Sequence, residues 1–196
     1  MKILFMSDIH GIPENLEYIR KLDLKEKFDK IVVLGDLYHA GLTYSNIKEV
    51  DVNKVKDFLM QYQDKIIALR GNCDSDADIK STDFPICNTL ALIHVDGIDI
   101  YCTHGNEYNK RNHEKLNRRG VLIYGHEHFP YIEQIDEMVY VNVGSISLPR
   151  NNSKPSYAIY ENQTITIYAI GGFVIDQVSF SLCDQKEPLF QKTKNI

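Results

Sequence analysis

The amino-acid sequence predicts an α/β (α+β) fold in which two β-sheets pack on each other with helices on the outside. Two observations predict it. The first half of the chain alternates short apolar runs, typical of buried strands, with segments whose apolar residues recur at helical spacing. The second half consists mainly of paired apolar runs separated by turn residues, which is the pattern of β-hairpins. Because no linker rich in proline and glycine interrupts the chain, we predict a single domain over residues 1–182 and a polar tail over 183–196.

The first half of the chain contains three apolar runs that predict buried strands. They cover residues 2–6, 31–34 and 65–69. Between the first two runs, Leu16, Ile19 and Leu22 form one apolar stripe at helical spacing, and Pro13 suits the first turn of that helix. Strand, helix and strand together make a βαβ unit with a right-handed crossover.

A second helix is predicted after the central strand. Asn53 is expected to cap it, and its apolar face continues to Tyr62. The preceding residues 37–50 are rich in glycine, threonine, serine and asparagine, so we expect a loop there.

The second half of the chain is predicted to be rich in hairpins. Asp96-Gly97 between two apolar runs is a strong hairpin signal. Strands are predicted over residues 89–95, 98–102, 121–124, 132–135, 138–143, 156–160 and 164–170, with a last edge strand over 173–182. Residues 106–119 are polar with Leu116 as an apolar anchor, and we predict a helix that Gly120 ends.

The composition is that of an ordinary soluble domain, with 43% hydrophobic and 25% charged residues among 196. A formal net charge of −5 argues against a protein that coats nucleic acids or anionic membranes through bulk electrostatics. The four cysteines contain no C-x-x-C pair, and no apolar run resembles a transmembrane helix or a signal peptide. We therefore expect a cytoplasmic protein.

Five of the predicted strands end at side chains that can bind metal ions. These side chains are Asp8, His10, Asp36, Asn72, His104, His126 and His128. Because ligands collect beyond the carboxyl ends of strands in α/β sheets, we expect one shared site. Oxygens and imidazoles suit Mn²⁺, Fe or Zn²⁺ better than Mg²⁺ or Ca²⁺ alone. A single catalytic ion needs about three protein ligands, so this set predicts two ions with Asp36 as the bridging carboxylate.

Each motif by itself has a simpler structural explanation. Asp8-x-His10 alone is more often a solvated turn, and His104 alone is more often a hydrogen-bonded core histidine. Recurrence at five strand ends favours the metal centre instead. His39, in the loop after Asp36, is left open as either a catalytic residue or an ordinary loop side chain.

In this order and spacing, the five motifs resemble the calcineurin-like metallophosphoesterase superfamily, and within it the small YfcE-type phosphodiesterases. The motifs are Asp8-x-His10, Gly35-Asp36, Gly71-Asn72-x-Asp74, His104-Gly105 and Gly125-His126-x-His128. They cover the chain from Met1 to about Arg150. The resemblance implies a sandwich of two mixed β-sheets flanked by helices.

The resemblance also implies how the ligands divide between two cations. One ion would be held by Asp8, His10, Asp36 and His128, and the other by Asp36, Asn72, His104 and His126. Such a pair lowers the pKa of a bridging water from about 15.7 towards 7, which gives a hydroxide nucleophile for in-line attack on phosphorus. Asn72 fits because a neutral amide oxygen adds no negative charge. We expect Mn²⁺, while Zn²⁺, Fe and Ni²⁺ are compatible with the same ligands.

Cys73 stands where many members of the superfamily carry a histidine that acts on the phosphate or the leaving group. A thiol, with a reference pKa of about 8.5, is a poor proton donor to an alkoxide. We therefore expect phosphodiesters with good leaving groups as substrates, with Asn72 and Cys73 near the substrate. Asp36, Asn72 and His104 are the expected catalytic residues. The alternative to a good leaving group is a different acid, such as His39 or a metal-bound water.

Two alternative functions stay open. The same fold serves as a protein-interaction scaffold in the retromer subunit, whose metal site is degraded, and a phosphomonoesterase would use the same metals. The complete ligand set argues against a scaffold, and the lack of a histidine at position 73 argues against a monoesterase. As partners we expect a small-molecule or nucleotide phosphodiester and no membrane, with a homo-oligomer left open.

Overall fold

The fold is described by a computed structural model over residues 1–39, 49–87, 89–113, 116, 119–180 and 190–191. The helices within these residues are α1 (Leu16–Glu26), α2 (Val52–Met60) and α3 (Asp76–Lys80). The strands are β1 (Ile3–Met6), β2 (Lys30–Val33), β3 (Ile66–Leu69), β4 (Ile86–Cys87), β5 (Leu90–Val95), β6 (Ile98–Thr103), β7 (Gly120–Tyr124), β8 (Pro130–Ile135), β9 (Met138–Val143), β10 (Ser156–Glu161), β11 (Thr164–Ala169), β12 (Val174–Phe180) and β13 (Phe190–Gln191).

The strands form two mixed sheets, as the sequence predicts. The larger sheet has eight strands in the order β13-β12-β11-β10-β1-β2-β3-β4, and the smaller has five in the order β5-β6-β7-β9-β8. Strands β1, β2 and β3 are parallel to one another, and so are β6, β7 and β9. The remaining pairs, apart from β3 with β4, are antiparallel.

Alternate side chains of the central strands pack in opposite directions because strand residues alternate between faces. Ile3 and Phe5 of β1 join the core shared with the smaller sheet, which includes Val121 and Ile123 of β7. The side chains of Leu4 and Met6 belong to a separate core cluster with apolar residues of α1 and α2. The larger sheet is therefore covered on both faces, which explains why its first strands read as continuous apolar runs.

The predicted helix over residues 106–119 is wrong for the part of it that the structure describes. Asn109 and Asn112 exchange main-chain hydrogen bonds of 3.2 and 3.0 Å, which closes a tight turn. Their side-chain amides donate to the carbonyls of Gly105 and Glu107 at 2.8 and 2.6 Å. Such side-chain bonds to the backbone compete with helix formation. The anchoring role of Leu116 is confirmed, because its side chain is buried beside the smaller sheet.

Two predicted helix starts also need correction. Asp51 rather than Asn53 caps α2, since its carboxylate accepts a 3.0 Å hydrogen bond from the amide of Lys54. Helix α1 begins at Leu16, whose amide donates to the carbonyl of Pro13 in a turn that precedes the helix. The apolar faces of both helices are buried as predicted.

Three elements, α3, β4 and β13, were not predicted. The capping box between Ser75 and Asp78 was the available signal for α3. Strand β12 is not the sheet edge, because Phe190–Gln191 pairs with it.

Most of the predicted loop over 37–50 and of the tail over 183–196 lies outside the described residues, and the division into domain and tail stays a prediction. None of the helices in the described residues is long and apolar enough to cross a membrane.

Candidate metal centre

Every predicted ligand follows the carboxyl end of a strand. Asp8 and His10 follow β1, Asp36 follows β2, Asn72 follows β3, His104 follows β6, and His126 and His128 follow β7. Five of them, namely Asp8, His10, Asp36, His126 and His128, have φ between 52° and 63°. Non-glycine residues seldom adopt this left-handed conformation, and such residues cluster at functional sites where the fold holds them in place.

Asp8, His10 and His128 form a first group of buried ligand atoms. The Nε2 atoms of the two imidazoles lie 3.3 Å apart. Oδ1 of Asp8 lies 3.2 Å from Nε2 of His128 and 3.7 Å from Nε2 of His10. These distances are those of side chains that share one cation, each presenting a single donor atom.

The hydrogen bonds of both imidazoles determine which nitrogen faces the group. His10 donates from Nδ1 to the carbonyl of His39, and His128 donates from Nδ1 to the carbonyl of Leu148, each at 2.6 Å. A carbonyl can only accept, so the neutral rings carry their proton on Nδ1 and direct the Nε2 lone pair towards Asp8. Metal-binding histidines are typically oriented in this way by a backbone carbonyl.

Oδ1 of Asp8 is the observation that tests whether a cation fits. Its partner oxygen Oδ2 accepts a 2.9 Å hydrogen bond from the amide of His126. Oδ1 is fully buried and is the one buried side-chain nitrogen or oxygen of the described residues that lacks a hydrogen-bond partner. An anionic oxygen buried without a partner is costly, and in their neutral form the facing imidazoles present Nε2 lone pairs that cannot donate to it. A divalent cation satisfies all of these atoms, so the residues fit a metal.

Asp36, Asn72 and His104 form a second group beside the first. His104 donates from Nδ1 to the carbonyl of Leu34 at 2.8 Å, so its Nε2 faces the site. This Nε2 lies 3.0 Å from Oδ1 of Asn72 and 3.4 Å from Oδ2 of Asp36. In its neutral form the imidazole presents the Nε2 lone pair to two oxygen acceptors, an arrangement that a cation satisfies.

Asp36 lies between the two groups. Its Oδ2 is 3.6 Å from Nε2 of His10 in the first group and 3.4 Å from Nε2 of His104 in the second. Its Oδ1 accepts a 2.8 Å hydrogen bond from the amide of Cys73, which fixes the rotation of the carboxylate. The position is the one expected of a bridging ligand.

The remaining predicted residues take different places. The half-buried ring of His126 packs edge-on against His104, with 5.0 Å between ring centroids. The side chain of His39 is exposed, and its contribution is the carbonyl that orients His10. Sγ of Cys73 lies within 4.8 Å of ligand atoms of His10 and Asp36, so the thiol borders the site.

The carboxylates of the site are strongly acidic. Burial raises the pKa of Asp8, but the imidazoles of His10 and His128 outweigh burial and hold that pKa well below its usual range. Burial also raises the pKa of Asp36, and hydrogen bonding and charge from His104 outweigh it, so the net shift is downward. Both carboxylates are therefore charged at neutral pH.

The imidazoles differ according to their neighbours. Burial lowers the pKa of His104, but the nearby carboxylates of Asp36 and Asp8 outweigh burial and raise it to about 9. The pKa of His10 is also raised, because Asp8 outweighs burial. The pKa of His126 is lowered by burial and by the charge on His104.

Cation binding is expected to release protons and to strengthen as pH rises. In the metal-free protein His104 keeps a second proton up to about pH 9, and a cation at Nε2 must displace it. The apparent affinity for Mn²⁺ should therefore increase with pH and level off above about 9. Calorimetric titration with Mn²⁺ in two buffers of different ionisation enthalpy measures the protons released. An affinity independent of pH, with no proton release, would contradict this assignment.

Ser145 supports the site and was missed as a functional residue. The hydroxyl of Ser145 donates to the carbonyl of Asp8 at 2.8 Å and accepts from the amide of Leu148 at 2.7 Å. Leu148 is also the residue whose carbonyl orients His128. The position of Ser145 two residues after β9 was the available signal, but a lone serine there predicts no role.

Comparisons with known proteins match both the sequence and the fold of this chain. A family model described as a calcineurin-like phosphoesterase superfamily domain matches residues 1–164. Phosphodiesterase YfcE of Escherichia coli (strain K12) is 32% identical over 182 residues, which cover 92% of this chain and 99% of YfcE. The solved structure of YfcE, a phosphoesterase from E. coli, has a TM-score of 0.85 at 32% identity and covers 90% of this chain and 98% of that one. Vps29 from Entamoeba histolytica, solved with Zn²⁺, has a TM-score of 0.62 at 19% identity over 89% of this chain and 96% of its own, which shows the fold alone.

Proposed function

The chain belongs to the calcineurin-like phosphoesterase superfamily, and on that premise we propose that it hydrolyses phosphodiester bonds with two divalent cations bound at the candidate metal centre. The observation that supports this most directly is the partnerless Oδ1 of Asp8, which faces the Nε2 atoms of His10 and His128. The name of the similar YfcE supports a diester as substrate.

The residues divide into two ligand sets. Asp8, His10, Asp36 and His128 would hold one cation, and Asp36, Asn72, His104 and His126 would hold the other. When bound, the cations would supply Lewis acidity towards the phosphate oxygens and would lower the pKa of a water, so that it loses a proton near neutral pH and can serve as the nucleophile. Mn²⁺ is our first choice, because the ligand set mixes carboxylate, amide and imidazole.

The chain's own contribution is orientation and charge balance. The carbonyls of His39, Leu148 and Leu34 hold the three imidazoles so that each presents Nε2 to the site. Asn72 adds a neutral oxygen, which keeps the positive charge of the site available to the phosphate. Preorganised positive charge of this kind stabilises the transition state of phosphoryl transfer.

A substrate preference follows from Cys73. Burial and the neighbouring Asp36 raise the pKa of this thiol to about 12, so it stays protonated but is a far weaker acid than an imidazolium. No imidazole acid occupies this position. The substrate is thus a small phosphodiester, a nucleotide included, with a good leaving group.

The three cysteines in the described part of the chain are free thiols, which supports a reducing, cytoplasmic setting.

The test is hydrolysis of bis(p-nitrophenyl) phosphate, with elemental analysis of the same preparation. We expect activity that is lost on treatment with a chelator and restored by Mn²⁺, with slower hydrolysis of the monoester p-nitrophenyl phosphate. A metal-loaded protein that hydrolyses neither ester would favour the scaffold alternative. Faster hydrolysis of the monoester would favour a phosphomonoesterase.

The rate is expected to depend steeply on the leaving group. Because Cys73 supplies no efficient acid, the negative charge that develops on the departing oxygen must be stabilised by the leaving group itself. A series of aryl phosphodiesters with phenols of increasing pKa should show a steep fall in kcat/KM. A flat plot would contradict the lack of an acid at this position.

Replacing Cys73 with histidine is expected to extend activity to poorer leaving groups. An imidazolium beside Asp36 would protonate the departing oxygen, an effect typically worth about 10²–10⁴-fold where the geometry is right. The measurement compares the leaving-group series for wild type, Cys73→His and Cys73→Ser as the control. No gain from Cys73→His over Cys73→Ser would place the acid elsewhere.

A further inference from the structure

Asp74 is a buried carboxylate that none of the proposed steps uses. Its side chain is 3% exposed and accepts three hydrogen bonds from main-chain amides. Oδ1 accepts from Leu37 at 2.8 Å and from Tyr38 at 3.4 Å, and Oδ2 accepts from Gly71 at 2.9 Å. Burial of a charge is costly, so three amides that compensate it indicate a specific role.

The amides that Asp74 binds adjoin two of the proposed ligands. Leu37 directly follows Asp36, and Gly71 directly precedes Asn72. The two loops leave the neighbouring parallel strands β2 and β3. One carboxylate therefore ties together the two loops that carry the proposed bridging carboxylate and the amide ligand.

The same loops are in close contact at Gly71. A Cβ atom at this position would collide with the main-chain nitrogen and the carboxylate of Asp36. The amide of Cys73, the residue after Asn72, donates a hydrogen bond to the Asp36 carboxylate. The position of Asp36 thus depends on where the loop over residues 71–74 lies.

We propose that Asp74 is a positioning residue which sets the spacing between Asp36 and Asn72 by joining their loops. This inference rests on the proposed function, since it assigns Asp74 a role at the same metal centre. A carboxylate suits the task because it offers an acceptor oxygen to each loop. An asparagine would present one oxygen and one NH₂ group, and the NH₂ group would face an amide donor.

The test compares Asp74→Asn with Asp76→Asn as a matched control. Asp76 lies two residues further on, its side chain is 77% exposed, and its only described ion pair is with Arg70. The affinity for Mn²⁺ is measured by calorimetry. The kinetic constants kcat and KM are measured with bis(p-nitrophenyl) phosphate at saturating Mn²⁺. Melting temperatures are measured on the metal-free proteins.

For Asp74→Asn we expect kcat to fall by about 10²-fold at saturating Mn²⁺ with KM nearly unchanged, since small displacements of catalytic groups cost that much. We also expect the weaker of the two Mn²⁺ binding events to weaken by about 10-fold or more, as for other residues that orient ligands. Asp76→Asn should match wild type in both measurements.

Wild-type kcat and Mn²⁺ affinity in Asp74→Asn, even with a lower melting temperature, would show a purely structural role and overturn the inference. If Asp74→Asn does not fold, Asp74→Glu takes its place, because it keeps both oxygens but moves them by one methylene. The same losses are expected, and wild-type values would again overturn the inference. A wild-type protein that binds no Mn²⁺ and hydrolyses no diester would instead overturn the proposed function.

Discussion

Replacing Asp36 with asparagine is expected to abolish diester hydrolysis and to reduce bound metal. Asp36 lies between the two ligand groups, 3.6 Å from His10 and 3.4 Å from His104, so both cations would lose one anionic ligand. Removal of one electrostatic contact to a transition state already costs about 10²–10³-fold, and we expect a loss of kcat of about 10³-fold or more. Elemental analysis should show fewer than two Mn²⁺ per chain.

The matched control is Asp57→Asn on α2, where the carboxylate is exposed. It removes the same charge from the protein without touching the site, so kcat and metal content should stay at the wild-type level. Full activity in Asp36→Asn, or an equal loss in both variants, would refute the bridging role of Asp36.

The second large effect is expected for Gly125→Ala. Gly125 follows β7 and approaches Asp8 so closely that a Cβ atom would collide with the Asp8 carboxylate and with the hydroxyl of Ser7. The backbone cannot retreat easily, because the Gly125 amide donates to the carbonyl of His104 at 3.0 Å and its carbonyl accepts from Asn142 at 2.6 Å. The added methyl group must therefore displace Ser7 and Asp8, which are adjacent in the sequence.

We expect Gly125→Ala to lower the free energy of unfolding by about 1–3 kcal/mol, the usual cost of overpacking. We expect kcat to fall by about 10²-fold, because a ligand displaced by about 1 Å no longer meets its ion correctly. Urea denaturation and assays at saturating Mn²⁺ measure the two effects. Gly171→Ala is the control, since Gly171 has a φ of 99° but contacts only the Phe173 ring at 3.4 Å or more. Gly171→Ala should lower the free energy of unfolding and leave kcat unchanged. A Gly125→Ala enzyme with wild-type kcat would contradict the close packing of Gly125 against Asp8.

The sequence indicates the candidate ligands because each of them lies within four residues of the end of an apolar run. In β1 and β2 both faces of the strand are buried, so the run is continuous and its end is visible in the sequence. Asp8 and Asp36 could therefore be assigned to strand ends without any knowledge of the fold. The order of the motifs then indicated the family, and the predicted architecture of two mixed sheets is confirmed.

The orientation of the ligands could not be predicted. The carbonyls of Leu148 and Leu34, which orient His128 and His104, come from loops 20 and 70 residues away in the sequence. The role of Asp74 likewise depends on amides up to 37 residues away. Such contacts form only when the sheets pack, and no local pattern records them.

The errors in secondary structure have local causes. Residues 106–119 contain asparagines that bond to the backbone, and such bonds stabilise turns at the expense of a helix. The cap of α2 was misplaced by two residues because Asp51 and Asn53 are both good capping residues. Only the position of Lys54, whose amide points at Asp51, distinguishes them.

The most direct test of the metal centre is the anomalous scattering of crystals grown with Mn²⁺. We predict two peaks roughly 3.5–4 Å apart on either side of the Asp36 carboxylate. One should lie against Asp8, His10 and His128, and the other against Asn72 and His104. A single peak, a pair that Asp36 does not separate, or no peak among these side chains would contradict the bridging of two cations by Asp36.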